Sequence, residues 1–281
     1  MTFGPFLSFQ TIAQFPEKVR KIYQEHDIRI RPRSDLARML DLCTDIDSTY
    51  EMLPEDIRVE VNRAYRVLHA IVDCADQKVI GDPLRRIAAN SLKLGEPKPS
   101  SGKDLLFELE LLQYMRYRRL TAQLGEPDIV VVAPFGEYFV ACKTIYSLKN
   151  FETQLSSGTK QIEKRGVGCI AFNLEPHMFF EQPLRASNRR EAMAQIKERL
   201  IELYDKESWR FDKKLKEGRL DGVMLMMSCT VDVPGHSFHT FTNTVFYSRS
   251  NIQGTEAQRR FEGFRSAMSG PLTTRRMFPA Q

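Results

Sequence analysis

Apolar side chains return every three or four positions through the first part of the chain, the period that buries one face of an α-helix. The spacing predicts helices over Ile12 to Tyr23, over Leu36 to Ile46 behind a Ser34 cap, and over Ile57 to Val72 through Val61, Tyr65, Leu68 and Ile71. Pro54 stands where a first-turn proline is tolerated, and Asp82-Pro83 opens a shorter helix reaching about Ser91. The stretch from Leu94 to Gly102, LGEPKPSSG, has no apolar period and is rich in proline, glycine and serine. It predicts a boundary between a helical module, residues 1–95, and a second domain, residues 96–281.

Beyond that boundary the period switches repeatedly between helix and strand. A helix is predicted from about Lys103 to Arg119, strands at Asp128 to Ala133 and Glu137 to Lys143 around Pro134-Phe135-Gly136, a helix from Leu148 to Lys164, and a strand from Gly168 to Asn173. A long charged helix follows, about Arg189 to Glu217. After it come apolar strands at Leu220 to Val231 and Ser237 to Tyr247, and a last helix from Thr255 to Met268. The expected class is α/β (α+β), a mixed sheet flanked by helices, with an all-helical region in front of it.

Composition narrows the class of protein without naming a chemistry. With 281 residues, 42% hydrophobic and 27% charged, the chain can bury a sizeable core. No window approaches the roughly 18 apolar residues of a membrane helix. Met1 to Gln10 lacks the basic start, apolar stretch and cleavage site of an export signal, so a cytoplasmic protein without membrane partners is expected. Cys43, Cys74, Cys142, Cys169 and Cys229 are odd in number and scattered among apolar neighbours, which predicts buried thiols rather than disulfides or a CxxC zinc site. Basic and acidic residues balance over residues 1–95, so the formal charge of +5 belongs to the rest of the chain. Arg116, Arg118 and Arg119, and Arg185, Arg189 and Arg190, are candidate phosphate-facing clusters; solvated faces are the alternative.

The stretch from Lys103 to Leu174 concentrates the candidate chemistry. A helix containing Phe107-Glu108-Leu109-Glu110 precedes Pro127-Asp128 at the mouth of an apolar strand. A tight turn leads to a second strand ending in Ala141-Cys142-Lys143, then to a helix with Lys160-Gln161 and a further apolar strand. Strand alternation puts Phe139, Ala141 and Lys143 on one face, so Asp128 and Lys143 are expected to meet at one sheet edge.

In that order of elements the segment resembles the PD-(D/E)xK nuclease superfamily, the restriction-endonuclease-like fold, over about 70 of the 281 residues. The resemblance implies a Mg²⁺- or Mn²⁺-dependent nuclease that hydrolyses DNA phosphodiester bonds, with RNA as a second substrate class. It implies Asp128 as a metal ligand, the carbonyl of Cys142 as another, and Lys143 as the group that orients water and neutralises phosphate charge. Glu108 matches the acidic residue of the preceding helix, with Glu110 second, and Gln161 matches an assisting glutamine on the following helix. Such types suit the reaction, because hard oxygen donors hold a divalent ion that acidifies water, and an ammonium beside it stabilises developing negative charge.

One position departs from the pattern. The second carboxylate of the family falls on Ala141, and Glu137 lies six residues from Lys143, roughly 20 Å along a strand, too far to replace it. Glu108 is the compensating ligand on this reading. The alternative is a degenerate nuclease-fold protein that acts as a nucleic-acid-binding or protein-interaction module, and the N-terminal helices leave open a homodimer or a protein partner. His236 and His239 fall on opposite faces of a strand, and His26, His69 and His177 stand isolated in sequence. Trp209 and Phe211 read as packing anchors of the long helix.

Overall fold

The computed structural model describes residues 8–94, 96–180, 182–234, 239–248 and 254–269. Among these residues the N-terminal stripes form α1 (Phe9–Ala13), α2 (Phe15–Glu25), α3 (Asp35–Cys43), α4 (Ile46–Thr49), α5 (Glu55–Asp73) and α6 (Gly81–Ala89). Ser34 caps α3 as expected, its Oγ accepting from the Ala37 amide at 3.2 Å. The helix predicted to reach Ile46 stops earlier: Asp45 adopts φ 56°, a left-handed conformation that ends one helix and starts the next at Ile46. Leu36, Met39, Leu40 and Cys43 bury the one face their spacing predicts.

α7 (Ser101–Tyr117) leads into β1 (Ala122–Leu124), β2 (Ile129–Ala133) and β3 (Gly136–Thr144), an antiparallel meander. α8 (Phe151–Arg165) then crosses over to β4 (Gly168–Asn173), which pairs parallel to β3. The remaining elements are β5 (Leu184–Arg185), α9 (Arg189–Lys216), β6 (Gly222–Asp232), β7 (His239–Tyr247) and α10 (Glu256–Ser269). They complete a mixed sheet of seven strands in the order β1-β2-β3-β4-β6-β5, with β7 antiparallel on β6. The short strands β1 and β5 have no apolar alternation of their own and exist because longer neighbours supply their hydrogen-bond partners. Ser237 and His236 lie outside the described residues.

The sheet divides the interior into two cores. One face carries Val130, Phe139, Ala141, Ile170 and Phe172 against α8 and α9, where Phe151 and Phe211 stack into the centre. The other carries Ile129, Val131, Tyr138, Val140 and Cys142 into a cluster shared with α7, α10 and the N-terminal helices. That second core is continuous from Ile12 to Met268, so the helical region packs directly on the sheet layer. The segment after α6 is held rather than loose: the Leu92 amide and Ser91 hydroxyl both donate to Asp35 Oδ2, and the buried Lys103 ammonium donates to the carbonyls of Lys93 and Glu96. No helix among the described residues is long and apolar enough to cross a membrane. Trp209 corrects the sequence reading, since it is 63% exposed while Phe211 alone anchors that part of α9.

Candidate active site

The register of β2 on β3 pairs Ile129 with Val140, which carries Pro127 to the position facing Cys142. Phe139 and Ile145 donate their amides to β4, so alternation turns the Cys142 amide and carbonyl toward β2. A regular ladder cannot continue there, because Pro127 has no N–H for the Cys142 carbonyl. Asp128 takes over instead, its Oδ2 accepting from the Cys142 amide at 2.6 Å. The Pro-Asp pair thus ends one strand and lodges a carboxylate beside the backbone of the next.

Lys143 follows at once, with Nζ 3.7 Å from the same Asp128 Oδ2. Both side chains are recessed, 12% and 13% exposed. Burial pushes the Asp128 carboxyl up, against the opposing pull of Lys143 and the Cys142 amide. Glu108 reaches the same neighbourhood from α7. The protein around it, and after that Asp128, pushes its carboxyl up to about 8, while Lys143 and Arg86 draw it the other way. The Cys142 thiol is raised well above its ordinary value by burial and by Asp128 and Glu108. Asp128, Lys143 and the Cys142 backbone therefore meet at the carboxyl end of β3, Glu108 acts on them electrostatically from α7, and no hydrogen bond or ion pair to another described residue satisfies Glu108.

Comparison with protein-family models, with characterised proteins and with solved structures finds no match to this chain.

The side-chain oxygens at this end of β3 are few. Asp128 Oδ2 accepts from an amide and lies beside an ammonium, which leaves Oδ1 and the Glu108 carboxyl as side-chain oxygens without a hydrogen bond. Among the described residues no group of three or more His, Cys, Asp or Glu side chains gathers around a metal position. An ion held here would take its other ligands from water and substrate. Ala141 is fully buried in the α8-side core and holds no donor, as its side chain dictates.

Gln161 is placed differently. A Cβ on Gly158 would lie 2.8 Å from Ile170 Cδ1, and Ile170 pairs with Ala141, so Gly158 marks the level of Ala141 along α8. Gln161 is three residues further, roughly 4.5 Å away from the Lys143 end. Its Oε1 is buried without a hydrogen-bond partner.

Glu110 goes elsewhere. It joins Glu175 around the buried guanidinium of Arg66 on α5, which donates Nη2 to Glu110 Oε2 at 2.7 Å and to Glu175 Oε2 at 2.7 Å. Burial opposes the charge on Arg66, and the two carboxylates hold it protonated above its ordinary value. This ion triad ties α5, α7 and the loop after β4 together next to the candidate site. Sequence spacing misses it, because its members lie 44 and 109 residues from Arg66. His69 is not isolated either: its ring bonds the Tyr117 hydroxyl at 3.0 Å, lies 3.2 Å from Asp73 and stacks on Phe15. Arg116 is bidentate to Asp76, and Arg118 bonds and stacks on Tyr114.

Proposed function

We propose that this protein is a divalent-metal-dependent nuclease acting on DNA phosphodiester bonds. The observation that carries the reading is the Lys143 ammonium 3.7 Å from Asp128 Oδ2, which the Cys142 amide holds, with the Glu108 carboxyl acting on the pair from α7. A Mg²⁺ or Mn²⁺ ion, when bound, supplies charge neutralisation and water acidified toward neutral pH. Asp128 Oδ1, Glu108 and the Cys142 carbonyl are the chain's own donors to it. The amide of Cys142 fixes the Asp128 plane, so that one oxygen faces the protein and the other faces the site. Lys143 places its ammonium where phosphoryl oxygens gain negative charge, and it orients water by donating to it. Glu108 must give up its proton to act as a ligand, which couples metal uptake to pH.

A second reading has its own support. Ala141 sits in the core where the family carries a carboxylate, and a chain that kept the fold without that ligand would bind nucleic acid and not cut it. Cleavage of labelled single- and double-stranded DNA and single-stranded RNA, in Mg²⁺, Mn²⁺ or EDTA, decides between them. The nuclease reading expects metal-dependent cleavage that falls at least about 100-fold in Asp128→Asn and in Lys143→Ala. Absence of cleavage with either ion, alongside salt-dependent binding, hands the site to the second reading.

A further inference from the structure

Trp209 is the single tryptophan of the chain, and the fold turns it outward. Leu200, Leu203, Phe211 and Leu215 carry α9 against the sheet, and a step of two residues, about 200° around the helix, puts Trp209 opposite Phe211. The ring is nevertheless held. The Arg210 guanidinium lies over it, 4.5 Å from the centroid, and is itself bonded to Glu207. The residue is still 63% exposed, so the other face of the ring meets solvent.

The charges around the ring are unequally engaged. Lys206 and Lys213, three residues before Trp209 and four after it, share its helix face, and Lys216 continues the row one turn on. All three are exposed, and none pairs with an acid among the described residues. Most of the neighbouring acids do have partners: Glu207 holds Arg210, Asp212 accepts from the Tyr247 hydroxyl at 2.6 Å, and Glu217 lies 3.4 Å from Arg219. Asp205 is exposed beside Lys206 and offsets one positive charge. The face therefore presents one aromatic surface within a row of lysines, with positive charge in excess.

We propose that this face of α9 holds a single-stranded segment of nucleic acid, with one base stacked on Trp209 and the phosphates on either side of it meeting Lys206 and Lys213. Every base has a π-face, and in an unpaired strand that face is free to stack. The size of the patch favours this occupant. A tryptophan buries about 150–250 Å², whereas a stable protein partner covers about 800 Å² on each side. The exposed Ile201 is eight residues away, roughly 12 Å along the helix, too far to join Trp209 in one apolar patch. Phosphates also match the unpaired lysines, which an apolar partner would not use. The inference rests on the reading of this chain as one that handles nucleic acid, but not on cleavage, since a chain that binds without cutting uses the same face.

Because Trp209 is the single tryptophan, its fluorescence reports the contact directly in the full chain. Titration with a short thymidine oligodeoxynucleotide in EDTA should quench the emission, a duplex of the same length should quench it less, and inorganic tripolyphosphate should leave it unchanged. With the oligomer fluorescein-labelled and binding read by anisotropy, Trp209→Ala should bind about tenfold more weakly and Trp209→Phe should keep most of the affinity. Lys206→Gln combined with Lys213→Gln should lower the salt slope by about two phosphate contacts, while Lys21→Gln on α2 should match the wild type. Quenching without cleavage in Mg²⁺ or Mn²⁺ keeps this inference and removes the nuclease reading. Cleavage of DNA with unchanged emission, and with equal affinity in Trp209→Ala, overturns this inference and leaves the nuclease reading standing. Absence of binding to any oligomer overturns it as well. A blue shift with phosphatidylserine–phosphatidylcholine vesicles and no response to DNA overturns it in favour of a membrane surface, and an emission that changes with protein concentration alone overturns it in favour of a second copy of this chain.

Discussion

Glu108→Gln removes a carboxyl ionisation that the site holds far from its ordinary value. The carboxyl rises from 4.5 to about 8, first because the surrounding protein desolvates its charge and second because Asp128 repels it. A carboxyl whose folded pKa lies above its unfolded one stabilises the fold fully below the unfolded value, and that contribution is lost as pH rises through the folded value. At about 1.4 kcal/mol per pH unit, the loss between pH 4.5 and 8 is at most about 5 kcal/mol for a site that does not relax. Glutamine keeps the shape and cannot ionise. In urea unfolding with EDTA, wild type and variant should match near pH 4.5. The variant should gain steadily up to about pH 8 and hold a constant lead of a few kcal/mol above it. With Mg²⁺ present the wild type should recover part of the gap at pH 8 and release about half a proton per ion bound from Glu108 at that pH, while the variant shows neither effect. A stability difference that stays flat from pH 5 to 9 refutes the placement of Glu108 beside Asp128 in a desolvated pocket.

Two further outcomes follow from the packing. Arg66→Ala strands Glu110 and Glu175 in the interior and should destabilise the fold by about 3–5 kcal/mol, whereas replacing all three members by apolar residues of similar volume should restore most of that loss in a chemical-denaturation series. Gly168→Ala would place a methyl carbon 1.9 Å from the Phe139 carbonyl oxygen between two paired strands, so the variant should accumulate as insoluble protein, read by the soluble fraction on expression beside Gly125→Ala, whose nearest obstacle is one Val130 methyl.

Much of the architecture was legible in the order of residues, because periodicity is a local property. The 3.6-residue stripe of α3, the Ser34 cap and the wholly buried run of β6 each declare their element from within a dozen positions. Pro127 also carries its meaning locally, since a residue without an N–H ends a ladder wherever it lies, and Asp128 beside it was the natural replacement partner. The long charged stretch likewise predicted α9 from Arg189, where Asn188 caps its first turn, to within one residue of its end at Lys216.

Tertiary structure decided which charges meet. Glu108 and Glu110 are two apart on one helix and look alike in sequence, yet a helical step of about 200° sends one toward Asp128 and the other into the Arg66 triad. α6 lies against α7 only because the chain leaving it folds back on the first turn of that helix, where Asn90 and Leu92 meet Gly102. The amino-acid order by itself determined helix, strand and strand end, through short-range sterics and hydrogen bonding. The pairing of groups 20 to 109 residues apart, and the desolvation that sets their protonation, arose only when the shared core closed around them.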